Sequence, residues 1–284
     1  MRRFLLIGCI TALLVGSGAV ADELPEPGVV VIKTSALSAE LQRRHFWNLQ
    51  RLSYRGVEVA GPTGAWGTVI SVPAMGGWVG SGHTQGGVER IEEVSLTVDG
   101  EQVPLDDGAV YACDRAVLIK HSMLDKVRLE ATYTFADETI TESVRLTATE
   151  DVAVTTVYPF MHCLSPDTSE WFALTWDNEE AGGEFTDGGK LEWHSDWAWT
   201  AAYIPAHQTG FLLRSRMGLR DREVKMGYWD QERYHKLYVS EPPPEETWRE
   251  GVSVEWAVTI LCFEAPPDVW KQRACRRSLE LIAE

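Results

Sequence analysis

The sequence predicts an all-β protein, a large antiparallel β-sandwich that is closed by one short C-terminal α-helix. About fifteen or more short runs of alternating or continuous apolar residues follow one another from His45 onward, at hairpin-length spacing. Only the stretch from Val269 to Ala283 has the apolar spacing of a helix, with Asp268 as its expected N-cap. Two stacked sheets are the economical way to bury both faces of so many strands.

Local patterns assign the individual elements. The clearest hairpin joins the alternating run from Val127 to Phe135 with the run from Thr139 to Thr147. Asp99-Gly100 predicts a second tight turn between strands. The segment from Ser35 to Gln42 is expected to hold a short helical turn, because a serine stands at its N-cap position.

The first 21 residues are predicted to be a signal peptide. Arg2 and Arg3 precede an apolar run from Phe4 to Val15, and Ala19-Val20-Ala21 forms a cleavage motif. The protein is therefore expected to be exported, to the periplasm or outside the cell, with residues 22–284 as a single β-sandwich domain. Two tandem sandwiches with a boundary near Pro166 are the alternative. No other stretch approaches the ~18 apolar residues of a membrane span, so no membrane association is expected after cleavage.

Composition narrows the partners and cofactors. A net charge of −16 argues against nucleic acid and anionic membranes as ligands. Beyond the signal peptide, Cys113, Cys163, Cys262 and Cys275 are compatible either with disulfides or with buried free thiols. No CxxC or Cys/His spacing predicts a metal site, and no phosphate or dinucleotide loop predicts a cofactor.

The stretch from Pro73 to Arg90 is the strongest candidate for a functional site. It carries six glycines, namely Gly76, Gly77, Gly80, Gly82, Gly86 and Gly87. So many glycines predict positive φ angles or a close approach of the backbone to another group. Within this stretch His83 is a candidate acid, base or sugar partner, Trp78 a candidate sugar-stacking platform, and Glu89 a candidate substrate ligand. The alternative is a polar turn anchored by its tryptophan.

A second candidate is the segment Tyr158-Pro159-Phe160-Met161-His162. In a regular strand Tyr158 and His162 share one face, where they could act as an acid and base pair. The alternative is a histidine whose hydrogen bonds are satisfied inside an aromatic core.

The later half of the chain is rich in aromatic residues. The sequence has 12 tryptophans, and large amphipathic rings mixed with carboxylates are typical of carbohydrate-binding surfaces. The substrate-binding candidates from this region are Trp176, Asp177, Trp197, Trp199 and Tyr203. The alternative is a sandwich core that is rich in aromatic side chains.

The order of these features resembles the galactose-mutarotase-like supersandwich. The resemblance rests on the early loop with Trp78 and His83, the mid-chain strand that carries His162, and the aromatic later half. It implies histidines at a sugar cleft, as in aldose epimerases and the sandwich domains of polysaccharide lyases. Epimerases of this type also use a late glutamate, for which Glu255 and Glu264 are the positional candidates here.

Three functions follow as hypotheses. The first is a polysaccharide lyase-like enzyme that acts on an acidic glycan by β-elimination. It would use His83 or His162 as base, Tyr158 or Tyr203 as acid, and Arg90 as the carboxylate partner. The second is an exported carbohydrate-binding sandwich without catalysis, or an aldose epimerase-like enzyme. The third is a structural exported domain whose aromatic residues are all core.

Overall fold

Two large stacked β-sheets, one two-stranded pair and one C-terminal helix make up the described part of the protein. The structure, a computed structural model, describes residues 28–62, 66–188, 191–194, 197–216, 224–241 and 247–282. The predicted signal peptide, residues 1–21, lies outside the described residues. Among the described residues, no helix is both long enough and apolar enough to cross a membrane.

The first sheet has 12 strands. They are β1 (Val29–Lys33), β2 (Leu37–Gln42), β3 (Asn48–Tyr54), β4 (Val57–Ala60), β5 (Val69–Val72), β6 (Gly77–Gly80), β7 (Gly87–Val88), β10 (Ala109–Ala112), β15 (Thr156–Leu164), β18 (Leu191–His194), β21 (Lys225–Gln231) and β22 (Tyr234–Glu241). The strands run in the order β10-β1-β2-β3-β4-β15-β22-β21-β18, and the β5–β6 hairpin joins the sheet through β15.

The second sheet has ten strands. They are β8 (Arg90–Val98), β9 (Glu101–Val103), β11 (Arg115–Leu124), β12 (Val127–Ala136), β13 (Thr139–Ala148), β16 (Glu170–Thr175), β17 (Glu180–Glu184), β19 (Trp197–Ile204), β20 (Thr209–Ser215) and β24 (Ser253–Glu264). A short pair, β14 (Val152–Ala153) with β23 (Thr247–Trp248), lies apart from both sheets. Helix α1 spans Trp270–Glu280.

The sheet topology confirms the predicted all-β sandwich. Both predicted hairpins form: Phe135 pairs with Ile140 across one turn, and Asp99 and Gly100 take the positive φ angles of 48° and 91° that a tight hairpin turn needs. Each sheet contains strands from both sides of Pro166, so a division into two tandem sandwiches at that position does not describe this chain.

Two local predictions are wrong. Residues Leu37–Gln42 form strand β2 rather than a helical turn, because every second side chain is buried and the backbone pairs with both β1 and β3. Helix α1 begins one residue later than predicted, with Val269 rather than Asp268 at its N-cap position, and no side chain caps it.

The core lies between the two sheets, and a second apolar layer lies outside them. Apolar side chains from both inner faces form one large cluster. On the outer face of the second sheet, α1 covers a smaller cluster that includes Phe172, Trp199 and Tyr203. The ring of Trp270 in α1 stacks on Tyr203 with the ring centres 4.9 Å apart. One side of the sandwich is therefore covered by the helix.

Candidate functional site

The glycine-rich stretch folds into a hairpin that carries Trp78 and His83. Strand β5 continues through a 3-10 turn (Pro73–Met75) into β6, and β5 pairs on its other edge with β15. Gly80 has a φ of +157°, and a Cβ there would lie 2.5 Å from the carbonyl oxygen of Thr68. The prediction of positive φ angles and close backbone approach is confirmed at this residue.

Trp78 and Tyr158 meet on the face of the first sheet that points away from the second sheet. Their rings stack with centres 4.8 Å apart, and the His83 ring lies 6.0 Å from that of Trp78. Tyr158 also packs against Tyr238 at 5.2 Å. Val69 and Met161 complete this small cluster, which is separate from the main core.

A one-residue bulge in β15 decides which side chains reach this face. Val157 pairs with Glu241 and Phe160 with Val239, so β15 has one more residue than β22 between these pairs. Pro159 lies in the bulge, where its missing N–H leaves no ladder hydrogen bond unmade. The bulge reverses the alternation, so Tyr158 lies on the outer face with Met161, whereas Phe160 and His162 point inward.

Lys236 adds a buried positive charge to the same face. It pairs with Cys163 of β15 and Trp229 of β21, is 3% exposed, and has its Nζ atom 5.0 Å from the ring centre of Tyr238. No carboxylate among the described side chains lies within ion-pair distance of it. Burial lowers the pKa of the Lys236 ammonium because the charged form loses hydration. We call the set Trp78, His83, Tyr158, Trp229, Lys236 and Tyr238 the outer aromatic face.

His83 is neutral at physiological pH in this setting. Burial, with a smaller contribution from the positive charge of Lys236, lowers the pKa of His83 to about 4. Burial likewise raises the pKa of the Tyr158 hydroxyl, which therefore keeps its proton. The face thus combines a neutral imidazole, protonated phenols and an ammonium group, which are the components of acid–base chemistry beside an anion.

The expectation that His162 and Tyr158 share one face is wrong. His162 is 1% exposed and lies between the sheets, where its Nε2 is 3.0 Å from Glu142 Oε2 of the second sheet. The ring also makes an edge contact with Trp66 at 5.2 Å. His162 therefore has no access to a ligand on the outer face. The alternative interpretation as a core histidine describes its position, but its Nδ1 makes no hydrogen bond with the described residues.

Glu89 and Arg90 also lie away from this face. Glu89 is 2% exposed and pairs with Lys120, whose Nζ is 2.8 Å from Glu89 Oε1. Arg90 begins β8 in the second sheet, its side chain is 70% exposed, and its guanidinium lies 3.8 Å from Glu92. The predicted substrate contact of Glu89 is therefore wrong, and the carboxylate-binding role of Arg90 has no support from its position.

The aromatic residues of the later half do not form one surface. Trp197 faces the interior, whereas Trp199 and Tyr203 are sealed beneath α1. Trp176 packs at the edge of that same cluster, and Asp177 lies in the exposed turn after β16. The prediction that Trp176, Asp177, Trp197, Trp199 and Tyr203 form one sugar-binding surface is wrong, because most of these rings are core. The side chain of Trp193 lies outside the described part of the chain.

Sequence reasoning missed Lys236 and Tyr238. Both belong to the run Tyr234–Glu241, in which period-2 alternation places Tyr234, Lys236 and Tyr238 on one side. A lysine that alternates with two tyrosines along this strand was the signal that could have identified them. The four cysteines named above are all free thiols in the structure.

An opening lies at one end of the sandwich, where its described lining comes from β16, β17, the segment after β17, and β21. It has a volume of about 260 Å³ and its lining includes Trp171, Glu184, Tyr228 and Asp230. Beside it, Asp187, Asp230 and His235 place one ligand atom each within 4.8 Å of one another. Among the described residues this is the group suited to hold a metal ion.

The fold has counterparts among solved structures. A galactose mutarotase-like protein from Lactobacillus casei ATCC 334 matches with a TM-score of 0.51 and 11% identity, over 83% of this chain and 100% of its own. The galactosidase domain of the α-galactosidase-sucrose kinase AgaSK matches with a TM-score of 0.55 and 8% identity, over 83% of this chain and 40% of that one. A protein from Synechocystis sp. PCC 6803 matches with a TM-score of 0.52 and 9% identity, over 86% and 98%.

Searches with protein-family models and against curated protein sequences each found no match. At sequence identities this low, the structural similarity shows the fold alone. It confirms the resemblance drawn from the sequence: this chain has the galactose-mutarotase-like β-supersandwich fold.

Proposed function

We propose that this protein binds an acidic glycan on the outer aromatic face and cleaves it by β-elimination. The observation that carries the proposal is the buried ammonium of Lys236 beside the neutral imidazole of His83 and the hydroxyl of Tyr158. The fold supports a sugar ligand, since the solved counterparts include proteins described as galactose mutarotase-like and as a galactosidase domain.

Electrostatics favour a carboxylate-bearing sugar. The chain carries a net charge of −16, so an anionic ligand needs a local positive group to overcome the overall repulsion. Lys236 supplies such a group. A buried ammonium that finds no carboxylate partner among the described side chains gains more from an incoming anion than an exposed ammonium does. Trp78 and Trp229, which are not sealed in the core, offer flat apolar surfaces for the sugar rings.

The proposed reaction transfers two protons, one to His83 and one from Tyr158, and needs no co-reactant. His83 accepts the proton from the carbon next to the uronate carboxyl group, while Lys236 stabilises the developing charge on the carboxylate. The electron pair of the broken C–H bond forms a carbon–carbon double bond, and the glycosidic C–O bond breaks. Tyr158 donates its hydroxyl proton to the departing oxygen, and the two residues then exchange protons with solvent.

The test is an assay of the purified protein on a panel of uronate-containing polysaccharides. An unsaturated product, detected by its ultraviolet absorbance, is expected from the unmodified protein and from His207→Gln, which alters an exposed histidine. His83→Gln and Tyr158→Phe should each lose at least about a hundredfold in rate, the usual scale of a general acid or base. Full activity in both variants would contradict the assignment.

Aldose epimerisation is the second candidate, favoured by the fold shared with a galactose mutarotase-like protein. Polarimetry of freshly dissolved reducing sugars separates the two, because epimerisation changes optical rotation and forms no double bond. Binding of glycans without either reaction would instead identify a carbohydrate-binding protein that lacks catalysis.

Export is part of the proposal and rests on the pattern of residues 1–21. Amino-terminal sequencing of the protein recovered from cell fractions checks it. A mature chain that begins at Asp22 outside the cytoplasm is expected, whereas an uncleaved cytoplasmic chain would contradict export.

A further inference from the structure

A compact group of three side chains of the metal-ligating type lies beside the opening that Asp230 borders. Asp187 lies in the turn after β17, and Asp230 and His235 lie on β21 and β22. We propose that these three side chains bind one first-row divalent cation such as Zn²⁺ or Mn²⁺. This inference is independent of the proposed function.

The spacing of the ligand atoms suits a cation. His235 Nδ1 lies 2.8 Å from Asp230 Oδ1. Two ligands at about 2.0–2.1 Å from a metal lie about 2.9 Å apart at a right angle and about 3.3–3.4 Å apart at the tetrahedral angle of zinc. A cation can therefore take the place of the hydrogen-bonded proton between Nδ1 and Oδ1 after the two atoms separate by about 0.1–0.6 Å.

Neighbouring groups hold two of the ligands in place. The backbone N–H groups of Thr186 and Gly188 donate to Asp230 Oδ2 at 2.8 and 3.3 Å. The ring of Phe185 stacks on His235 with the ring centres 4.1 Å apart. Such supports orient metal ligands and lower the cost of assembling the site.

The third ligand and the adjacent opening complete the arrangement. Asp187 is exposed whereas Asp230 and His235 are buried, so the carboxylate of Asp187 lies at the solvent side of the group. The opening of about 260 Å³ borders Asp230 and has room for water molecules or a small ligand on the metal. Among the described residues its lining includes Glu184 and contains no lysine or arginine, which favours a cation.

The donor set indicates the class of metal. One imidazole nitrogen with two carboxylates suits zinc or manganese better than calcium, which takes six to eight oxygen ligands. The imidazole nitrogen also disfavours magnesium, which prefers oxygen ligands. We therefore expect zinc or manganese to bind, with calcium much weaker.

The test is isothermal titration of the full chain with ZnCl2, MnCl2 and CaCl2 after its thiols have been blocked with iodoacetamide. One Zn²⁺ or Mn²⁺ per chain is expected, with CaCl2 at least tenfold weaker. Asp187→Asn should weaken the binding at least tenfold. Asp167→Asn, which removes the same charge from another exposed turn, should leave it unchanged.

Equal affinities of the two variants, or the absence of a one-to-one phase for zinc and manganese, would overturn the proposal. His235→Gln is the companion variant, and its loss of binding is informative only if its thermal transition remains cooperative. Because Asp187 is exposed, Asp187→Asn provides the decisive comparison whether or not the histidine variant folds.

Discussion

The burial of Lys236 makes its ammonium group a favourable partner for an anionic ligand. Its ammonium lies in a sheet face where hydration is largely lost, and the described residues supply no carboxylate to offset that cost. A group that lowers stability and is well placed for an anionic ligand is typical of a functional site rather than of a scaffold.

We predict that Lys236→Met weakens binding of an acidic glycan at least tenfold, the equivalent of about 1.4 kcal/mol. The same change should raise the thermal midpoint by a few degrees, since relief of about 1 kcal/mol moves the midpoint by roughly 2–4 °C in a chain of this size. Calorimetry measures both quantities. The matched control is Lys225→Met, which alters an exposed lysine on the neighbouring strand and should leave the affinity within about twofold.

The ionisation of His83 is testable without any ligand. Because burial and Lys236 lower its pKa to about 4, the imidazole should stay neutral as the pH falls from 8 to about 5. A nuclear magnetic resonance titration of the ring Cε1–H, assigned by its absence in His83→Gln, measures the midpoint. A midpoint near the ordinary value of 6.5 would show that the ring is hydrated and that the site is not formed as described. The midpoint should rise when an anionic sugar is added, because the ligand offsets the charge of Lys236.

At the scale of elements, the β5–β6 hairpin brings Trp78 into contact with Tyr158. Gly80 is the tightest point, because a Cβ would lie 2.5 Å from Thr68 O and 2.9 Å from Val69 Cα, and backbone atoms cannot rotate away. Gly100 has a φ of +91° but open space around it. An alanine substitution at Gly100 therefore measures conformational strain alone, whereas one at Gly80 measures steric overlap as well.

We expect Gly100→Ala to lower the free energy of unfolding by about 1–2 kcal/mol, the cost of a left-handed conformation. Gly80→Ala should cost clearly more, because overlap adds to the conformational term. Urea denaturation followed by circular dichroism gives both values. If Gly80→Ala were as stable as Gly100→Ala, the close approach of β6 to β5 would not hold.

At the scale of the whole molecule, polar bridges connect the two sheets across an apolar core. Lys120 of the second sheet donates to Glu89, to Asn48 Oδ1 at 2.8 Å and to Phe46 O at 2.9 Å. Tyr133 donates to the same Asn48 oxygen at 3.0 Å. The pair of His162 with Glu142 forms a second bridge. These contacts fix how one sheet lies on the other.

Lys120→Met alone should lower the free energy of unfolding by about 3–5 kcal/mol, because it leaves the Glu89 carboxylate buried without its cation. The double variant Glu89→Gln/Lys120→Met should recover part of that loss, since no buried charge remains. Denaturant titrations of the two single variants and the double variant give the coupling energy. If the losses in the free energy of unfolding were additive, the two charges would act independently, which would contradict the prediction. The glycan affinity of the folded variants should be unchanged.

The fold followed from the sequence because its signals are local. Strand alternation, the Asp99-Gly100 turn and the apolar spacing of α1 each lie within a few neighbouring residues. The outer aromatic face was only half predicted. Its members Trp78, His83 and Tyr158 were predicted, whereas Lys236 and Tyr238, which lie on a strand far along the chain, were not. Their meeting depends on strand pairing that no local pattern encodes.

Two of the wrong assignments, those of His162 and of the tryptophan pair Trp197 and Trp199, have the same physical cause, a β-bulge. One bulge near Pro159 separates Tyr158 from His162. Another lies at Ala198, where Trp199 pairs with Leu174 and Trp197 with Thr175, so one tryptophan faces inward and the other lies beneath α1. Period-2 reasoning fails wherever one extra residue enters a strand, and the partner strand decides where that happens.

The extra residue in β15 also determines which single-codon deletions this strand tolerates. Removal of the Pro159 codon leaves Val157, Tyr158, Phe160, Met161 and His162 in regular alternation, each on the side it already occupies. Loss of the Met161 codon instead sends Phe160 toward solvent or His162 out of the core. Within this strand the proline triplet is the expendable one, and selection for folded protein should recover its loss while it discards the loss of Met161.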